Sequence, residues 1–324
     1  MYFSPLGFQA PARYRGVRSR VNAAHLGGFD LLSCYKALMA LPGPLEPTRT
    51  VTFGSSGGAT LYGEVFLPPS TPTAVALIVH GYAEHCGRYR EVAHALVKEG
   101  LAVFSYDYRG HGRSSGRRGH LERWDDYHDD LDAALAEARK LAPGRPVVLT
   151  SHSNGGLISL RALTDAHRRP KVDAVIVSSP FLALRLKVPP AKVWLARGMS
   201  RVLPAFTQRN ELRPEDLTSD PERQAARVAD TLCHDVASAR WFTEAMAAQE
   251  HVRRQAAEVV LPTLWLIGEA DPIADPATAQ DVARRVRGAD VHLLEGYRHE
   301  VWNERERAHP LAKAAEFARR HARV

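Results

Sequence analysis

"PVVLTSHSNGGLISL", residues 146–160, is the stretch of sequence that decides how the chain is interpreted. Its apolar start has the character of a buried strand, and the glycines after Ser153 open a segment with helical spacing. A serine between such a strand and such a helix is typical of the G-x-S-x-G turn, which exposes a nucleophilic hydroxyl. Ser151 replaces the first glycine of that pattern. Because this position requires only a small side chain, we expect it to tolerate serine and predict that Ser153 is the nucleophile.

Strands and helices alternate on both sides of this turn. A hairpin is predicted at 49–53 and 59–68, and helical segments separate most of the strands that follow it. These further strands are predicted at 74–81, 101–107, 146–151, 172–180, 261–271 and 289–296. The alternation predicts an α/β fold, in which a mostly parallel sheet carries helices on both faces.

One long interval breaks this alternation. Residues 181–260 show helical periodicity and no convincing strand, with candidate helices at 190–206 and 237–259. An insert of this size between two strands of one sheet predicts a helical cap, or lid, above a core made of residues 47–180 and 261–324. Its apolar faces, including Trp194 and Met199, are expected to line a tunnel for an acyl chain and to touch a lipid surface.

Composition excludes several classes of protein. Hydrophobic residues make up 45% of the 324 residues and charged residues 24%, as in an ordinary soluble domain. No apolar run reaches the roughly 20 residues of a membrane helix. Cys34, Cys86 and Cys233 are too few and too scattered for a disulfide framework or a zinc site, which favours a cytoplasmic protein without a bound metal. The acids of "DDYHDD" (125–130) are adjacent on a helix and are expected to form a solvated face.

The formal charge of +7 is concentrated near the N-terminus, where the first 50 residues hold six basic and two acidic side chains. Residues 1–46 are therefore predicted to be a basic extension, of no assigned role, which could attract anionic lipid. Motifs for nucleic-acid binding, a P-loop and a dinucleotide-binding G-x-G-x-x-G are absent from the sequence. We expect no nucleic-acid partner and no cofactor, and the sequence does not predict an oligomeric state.

A serine nucleophile needs a base, and that base needs an acid to orient it. In this class of sheet the acid follows the nucleophile in the chain and stands at the end of a later strand. Asp271 closes the strand "TLWLIGEAD" and is the predicted acid. Glu269 and Asp275 are alternatives close by.

The predicted base is His299, which stands in the loop after the last strand. His292 lies within that strand and would point elsewhere. An oxyanion hole needs two backbone N–H groups. We expect one from Asn154, directly after the nucleophile, and the other from Tyr82, in the loop that follows the strand at 74–81.

Five ordered motifs resemble a known family. They look like the monoacylglycerol lipase and lysophospholipase branch of the α/β-hydrolases, and the resemblance covers roughly residues 47–320. The motifs are "HGYAEHCGRY" (80–89), "YDYRGHGRSSGRRG" (106–119), "SHSNGG" (151–156), "GEADPIADP" (268–276) and "HEVWNE" (299–304).

The resemblance implies an eight-stranded α/β-hydrolase core with a helical cap, and the same triad and oxyanion donors. It also implies that Glu84 and Arg88, from the E-H-x-x-R-Y stretch, help to hold a glycerol head group. Two positions depart from the family pattern. Ser151 replaces a glycine, and Trp302 stands where some members have a second histidine.

These observations predict a cofactor-independent serine hydrolase that cleaves carboxylic esters of lipid-like substrates through an acyl-enzyme. A glycerol ester is the leading substrate, and lysophospholipids, simple esters and thioesters remain alternatives. An aminopeptidase of the same fold would hold its substrate's amine with cap carboxylates such as Glu211, Glu215 and Asp216. A catalytically silent binding module would have lost a member of the triad, whereas all three candidates are present.

Overall fold

The computed structural model describes residues 46–186, 188–210 and 212–322. The predicted basic extension, apart from Glu46, and the cap residue Glu211 therefore lie outside the described residues. Within the described ranges, no helix combines the length and the apolar character needed to cross a membrane.

The strands of the described chain are β1 (Arg49–Gly54), β2 (Thr60–Phe66), β3 (Ala74–Val79), β4 (Leu101–Asp107), β5 (Val147–His152), β6 (Ala174–Ser178), β7 (Thr207–Arg209), β8 (Val236–Ser238), β9 (Thr263–Gly268) and β10 (Ala289–Leu294). Eight of them form the main sheet, in the order β1-β2-β4-β3-β5-β6-β9-β10. Within this sheet β1 pairs antiparallel with β2, β2 pairs antiparallel with β4, and all other pairs are parallel. The predicted mostly parallel, eight-stranded sheet is confirmed.

Helices cover both faces of this sheet, so every residue of β3, β5 and β9 is buried, as the apolar runs of these strands predicted. The helices of the described chain are α1 (Arg90–Lys98), α2 (Asp125–Arg139), α3 (Asn154–Leu163), α4 (Pro190–Val202), α5 (Pro214–Leu217), α6 (Pro221–Ala229), α7 (Ala239–Gln255), α8 (Pro276–Arg285) and α9 (Ala308–His321). One face of the sheet packs on α2, α3, α7 and α8, and the other on α1 and α9.

The segment between β6 and β9 contains α4, α5, α6 and α7, so its helical character agrees with the sequence. The expectation that it contains no strand is wrong. β7 and β8 pair antiparallel, with Thr207 opposite Ser238. Each has only three residues, and three residues are too few for the alternation of a strand to be recognised in the sequence.

The acids of α2 also differ from expectation. Asp130 is fully buried and accepts hydrogen bonds from the Arg109 guanidinium, at 2.7 and 2.9 Å, and from Ser55 Oγ. Its partners come from two loops that are distant in sequence, so the helical pattern alone gave no sign of this buried pair.

Candidate active site

Ser153 stands on a strained turn between β5 and α3, with φ 50° and ψ −115°. A Cβ atom at Gly155 would lie 2.3 Å from the carbonyl oxygen of Val79, so a glycine is required there. No such demand exists at Ser151, which is buried and whose hydroxyl lies 3.3 Å from the carbonyl oxygen of Ile176. The turn therefore accommodates serine at 151, as the sequence led us to expect.

Three side chains from separate strand ends meet at this turn. The Nε2 atom of His299 lies 2.8 Å from Ser153 Oγ, and its Nδ1 atom lies 2.7 Å from Asp271 Oδ2. The other carboxylate oxygen of Asp271 accepts hydrogen bonds from the N–H groups of Ile273 and Ala274. Because the carboxylate accepts the Nδ1 proton, Nε2 is left to accept the serine proton.

The residues considered as alternatives have other partners. Glu269 is exposed. Asp275 caps the N-terminus of α8 and accepts a hydrogen bond from the Thr278 N–H group at 3.0 Å. His292 projects from β10 and pairs with Asp290 at 2.9 Å. Since none of these side chains contacts Ser153, the geometry favours the predicted acid and base.

The pKa values of the two histidines beside Ser153 are shifted in opposite directions. Burial acts to lower the pKa of His299, but the Asp271 carboxylate outweighs it, so that the pKa is raised above its ordinary value. Burial lowers the pKa of His152 to about 3, and neighbouring His299 acts in the same direction. His152 is therefore expected to stay neutral, and His299 is the histidine of the pair that takes up a proton more readily.

The expected oxyanion donors stand beside the nucleophile. Asn154 is the first residue of α3, so its N–H group has no acceptor within the helix. Tyr82 lines the same cavity as Ser153, and a Cβ atom at Gly81 would come within 3.4 Å of the serine Cβ. The missing side chain at Gly81 thus allows the loop after β3 to approach the nucleophile closely.

The side chain of Tyr82 fastens this loop to the segment above it. Its hydroxyl donates a hydrogen bond to the carbonyl oxygen of Val236, on β8, at 2.7 Å. Its ring stacks on Trp241 of α7, with 3.9 Å between the ring centroids. Tyr82 therefore links its own backbone N–H group, an expected oxyanion donor, to the part of the cap that contains Val236 and Trp241.

A cavity of about 850 Å³ opens above Ser153 and His299 and is roofed by the cap. This volume is within the range of small-molecule sites. Its apolar lining is provided by Phe181, Leu184, Leu186, Val188, Leu195, Ala196, Met199, Phe206, Leu212, Leu217, Trp241, Phe242 and Ile273.

Of the two cap residues expected to line a tunnel, the structure places one in the cavity. Met199 lines it, together with Leu195 and Ala196 on the same face of α4. Trp194 does not, and its side chain is 72% exposed. Each residue turns a helix by about 100°, so Trp194 projects from nearly the opposite side. The apolar pattern of α4 did not reveal which face meets the cavity.

Glu84 and Arg88 belong to a buried network. Glu84 accepts hydrogen bonds from the Gly81 N–H group, the Tyr89 hydroxyl and Arg88 Nε, at 2.6, 2.5 and 2.9 Å. Burial acts to raise the pKa of Glu84, but Arg88 outweighs it and the pKa is lowered. Arg88 Nη2 also donates to Glu300 at 2.7 Å. Glu84 and Glu300 line the cavity, whereas Arg88 lies behind them.

A possible set of metal ligands is formed by His85, Asp230 and Cys233, whose ligand atoms lie within 4.8 Å of one another. The hydrogen bonds of His85 argue against a metal. Its Nδ1 atom accepts from the Gly87 N–H group, so Nε2 carries the proton and donates it to Asp230 at 2.7 Å. A metal-bound histidine has the reverse arrangement, in which the second nitrogen donates. The geometry favours a hydrogen-bonded pair.

The sequence did not identify Glu300 or Tyr108 as part of the site. Glu300 directly follows His299 in the quoted motif, and that adjacency was the available signal. Tyr108 directly follows the apolar strand β4, and its hydroxyl makes hydrogen bonds to residues of two loops that are distant in sequence.

The chain is similar to proteins of known family. A family model described as serine aminopeptidase, S33, matches residues 70–306. A monoacylglycerol lipase of Mycolicibacterium smegmatis is 32% identical over 259 residues, which are 79% of this chain and 91% of that protein. The phospholipase YtpA of Bacillus subtilis is 29% identical over 252 residues, 76% of this chain and 95% of that protein.

A solved structure extends the likeness to three dimensions. The monoacylglycerol lipase of Paleococcus ferrophilus superposes with a TM-score of 0.73 at 29% identity, covering 81% of this chain and 99% of that one. The fold of this chain is therefore that of an α/β-hydrolase.

Proposed function

Because the chain belongs to the serine aminopeptidase S33 family, in the monoacylglycerol lipase-like branch of the α/β-hydrolases, we propose that Ser153, His299 and Asp271 form its catalytic triad. The protein is a carboxylic ester hydrolase of lipid-like substrates. The observation that carries the assignment is the chain of short contacts from Asp271 to His299 to Ser153 on the floor of an apolar cavity.

The reaction follows from these positions. His299 Nε2 takes the proton of the Ser153 hydroxyl as its oxygen attacks the ester carbonyl carbon. The N–H groups of Tyr82 and Asn154 hold the oxyanion that forms. The ester C–O bond then breaks, and the alcohol leaves with the proton from His299. Water, deprotonated by His299, attacks the acyl-enzyme and releases the fatty acid and the free serine. Asp271 orients the imidazole throughout.

A monoacylglycerol-type ester fits the two chemical regions of the cavity. The apolar lining that includes Met199 suits the acyl chain. The carboxylates of Glu84 and Glu300, which line the cavity with Ser153, suit the hydroxyls of a glycerol leaving group as hydrogen-bond acceptors. Arg88 would act through these two carboxylates rather than by contact with the head group, since it donates to both.

Two observations favour further substrates at the same site. Lys192 lines the cavity and suits the phosphate of a lysophospholipid, and Arg209, which pairs with Asp235 at 3.2 Å, lines it as well. Asp216 also lines it and would suit the amine of an aminopeptidase substrate, but this carboxylate pairs with Arg213 at 2.9 Å. Glu215, the other described cap candidate, is exposed and does not line the cavity. The lysophospholipid is therefore the stronger second candidate.

The cap also presents an apolar surface to solvent. Its large exposed side chains include Leu186, Trp194, Leu195, Val202, Leu203 and Phe206. Arg197 and Arg201 are interspersed among them on α4. An apolar patch with basic neighbours suits the head-group region of an anionic bilayer, and peripheral membrane contact through this surface is part of the proposal.

The first experiment is intact mass after treatment with a fluorophosphonate, with peptide mapping of any adduct. The expected result is one adduct, on Ser153, that is missing in Ser153→Ala. Hydrolysis of a monoacylglycerol, a lysophosphatidylcholine, a 4-nitrophenyl ester and an aminoacyl-arylamide then ranks the substrate classes. A folded protein that takes up no label and cleaves none of the four would contradict the proposed function.

A further inference from the structure

The peptide unit between Gly81 and Tyr82 is held from behind by two donors. The carbonyl oxygen of Gly81 accepts a hydrogen bond from the Tyr108 hydroxyl at 2.7 Å. It accepts a second from His80 Nδ1, also at 2.7 Å. In a trans peptide the N–H group points opposite to the carbonyl. Fixing the direction of the Gly81 carbonyl therefore fixes the direction of the Tyr82 N–H group.

The same hydroxyl contacts the residue that carries the other oxyanion donor. The side-chain Nδ2 atom of Asn154 donates to Tyr108 Oη at 3.2 Å. The directions of both bonds are forced, because a carbonyl oxygen only accepts and the Tyr108 proton is therefore used on Gly81. Burial raises the pKa of Tyr108 well above its ordinary value, so the hydroxyl keeps this proton.

Tyr108 is itself rigidly placed. Its side chain is fully buried, and its ring stacks on His80 with 4.1 Å between centroids and 10° between planes. It directly follows β4, whereas Gly81 follows β3 and Asn154 follows β5. These three strands are neighbours in the sheet, so one hydroxyl joins their three carboxyl ends. Tyr108 is not among the residues that line the cavity.

We propose that Tyr108 is a positioning residue of the oxyanion hole, whose hydroxyl aligns the Tyr82 N–H group through Gly81 and holds Asn154 through its side chain. This inference rests on the proposed function, since it assigns a task within that mechanism. Two donors on the Gly81 carbonyl also polarise the peptide, which strengthens the N–H group as a donor to developing negative charge. Such stabilisation acts on the transition state and not on the bound substrate.

The test compares Tyr108→Phe with Tyr106→Phe. Tyr106 is also fully buried, and its hydroxyl has no hydrogen-bond partner in the part of the chain that the structure describes, so it is a matched control for removing a buried hydroxyl. Removing an oxyanion donor outright lowers kcat by about 10²–10³, so losing its alignment is expected to lower kcat by about tenfold. KM is expected to stay unchanged for a monoacylglycerol and for a 4-nitrophenyl ester alike.

A pair of inhibitors separates positioning from a general structural effect. An alkyl trifluoromethyl ketone forms a tetrahedral oxyanion on Ser153, whereas the matching methyl ketone binds as a substrate-like ground state. Tyr108→Phe should weaken the first by the same factor as kcat/KM and leave the second unchanged. Where this variant fails to fold, Asn154→Ala removes one of the two contacts, keeps the backbone N–H group and should show a smaller effect of the same pattern.

If Tyr108→Phe kept the wild-type kcat and bound the trifluoromethyl ketone as tightly as the wild-type protein does, the inference would be overturned and the proposed function would stay intact. Equal weakening of both ketones would also overturn it, because that result assigns a structural role. Failure of the wild-type protein to cleave any ester would instead contradict the proposed function, and the two failures are thereby distinguished.

Discussion

The guanidinium of Arg88 lies 2.7 Å from the carboxylate of Glu300, so a buried ion pair joins the loop after β3 to the loop that carries His299. The same guanidinium pairs with Glu84 at 2.9 Å. Two carboxylates thus share one positive charge at the edge of the cavity, where water is partly excluded. We therefore expect both stability and substrate binding to depend on Arg88.

Replacing Arg88 with methionine is expected to lower the free energy of unfolding by about 3–5 kcal/mol, because Glu84 and Glu300 would be left buried without their cation. Urea denaturation measures this loss. Lys140→Met is the control, since Lys140 pairs with Glu137 at the surface and such pairs contribute little. Equal midpoints for the two variants would show that Arg88 is not the common partner of a buried network.

The activity should depend on pH through His299, whose pKa is raised above its ordinary value after Asp271 outweighs burial. The base must be neutral in the free enzyme, so kcat/KM is expected to fall as pH drops through this raised pKa. A pH–rate profile measures it. Asp271→Asn should shift the inflection to lower pH, because burial then dominates, and should lower kcat by a factor of the order of 10⁴ found for this change in a serine-protease triad.

The contribution of His299 to stability depends on pH in the opposite direction to its contribution to activity. Its folded-state pKa is raised, so the stabilisation is complete below the unfolded-state pKa and is lost as pH rises through the folded-state pKa. Asp271→Asn should therefore be more destabilising in mildly acidic than in alkaline buffer. Thermal unfolding of both proteins across this window checks the sign, and a difference that grows with pH would contradict it.

Gly155 and Ser151, the two small residues of the nucleophile turn, should respond differently to substitution. Gly155→Ala places a Cβ atom 2.3 Å from the Val79 carbonyl oxygen and is expected to abolish fluorophosphonate labelling through displacement of the turn. Ser151→Gly restores the family residue but removes a side chain from a central strand. It should leave kcat unchanged and cost about 0.5–1 kcal/mol of stability. An increase in kcat would show that Ser151 impairs the nucleophile.

Substitutions on the two faces of the cap helix α4 should have different effects, because one face lines the cavity and the other is exposed to solvent. Met199→Ala enlarges the cavity and is expected to reduce kcat/KM for long-chain more than for short-chain monoacylglycerols. Trp194→Ala should leave the turnover of short, dissolved esters unchanged and weaken sedimentation with anionic vesicles, since this ring faces solvent. Reduced turnover of dissolved esters in Trp194→Ala, with vesicle binding intact, would contradict this assignment.

The sequence was sufficient for features that local pattern and strand ends determine. Ser153, Asp271 and His299 could be predicted to lie together because each follows a recognisable strand, and parallel strands bring their carboxyl ends to one edge. It was insufficient for features that depend on tertiary packing. The face of α4 that carries Trp194 depends on how the cap lies over the core, and β7 is too short to show a period.

Contacts between distant loops were also beyond the sequence. Arg88 and Glu300 are 212 positions apart, and nothing in the sequence around either residue indicates that the two form an ion pair. Tyr108 looked like one more aromatic residue of the core, because a hydroxyl that serves two loops has no signature along the chain.

The attachment of Tyr82 to Val236 and Trp241 has a consequence for engineering. Exchanging lids between related enzymes is a natural way to alter their preferences, and cut points would ordinarily be placed at the ends of β6 and β9. Here a foreign lid would lack the Trp241 indole and would have to place a backbone carbonyl oxygen where Val236 has one for the Tyr82 hydroxyl. A chimera should therefore retain native residues 236–241 and exchange only what precedes them.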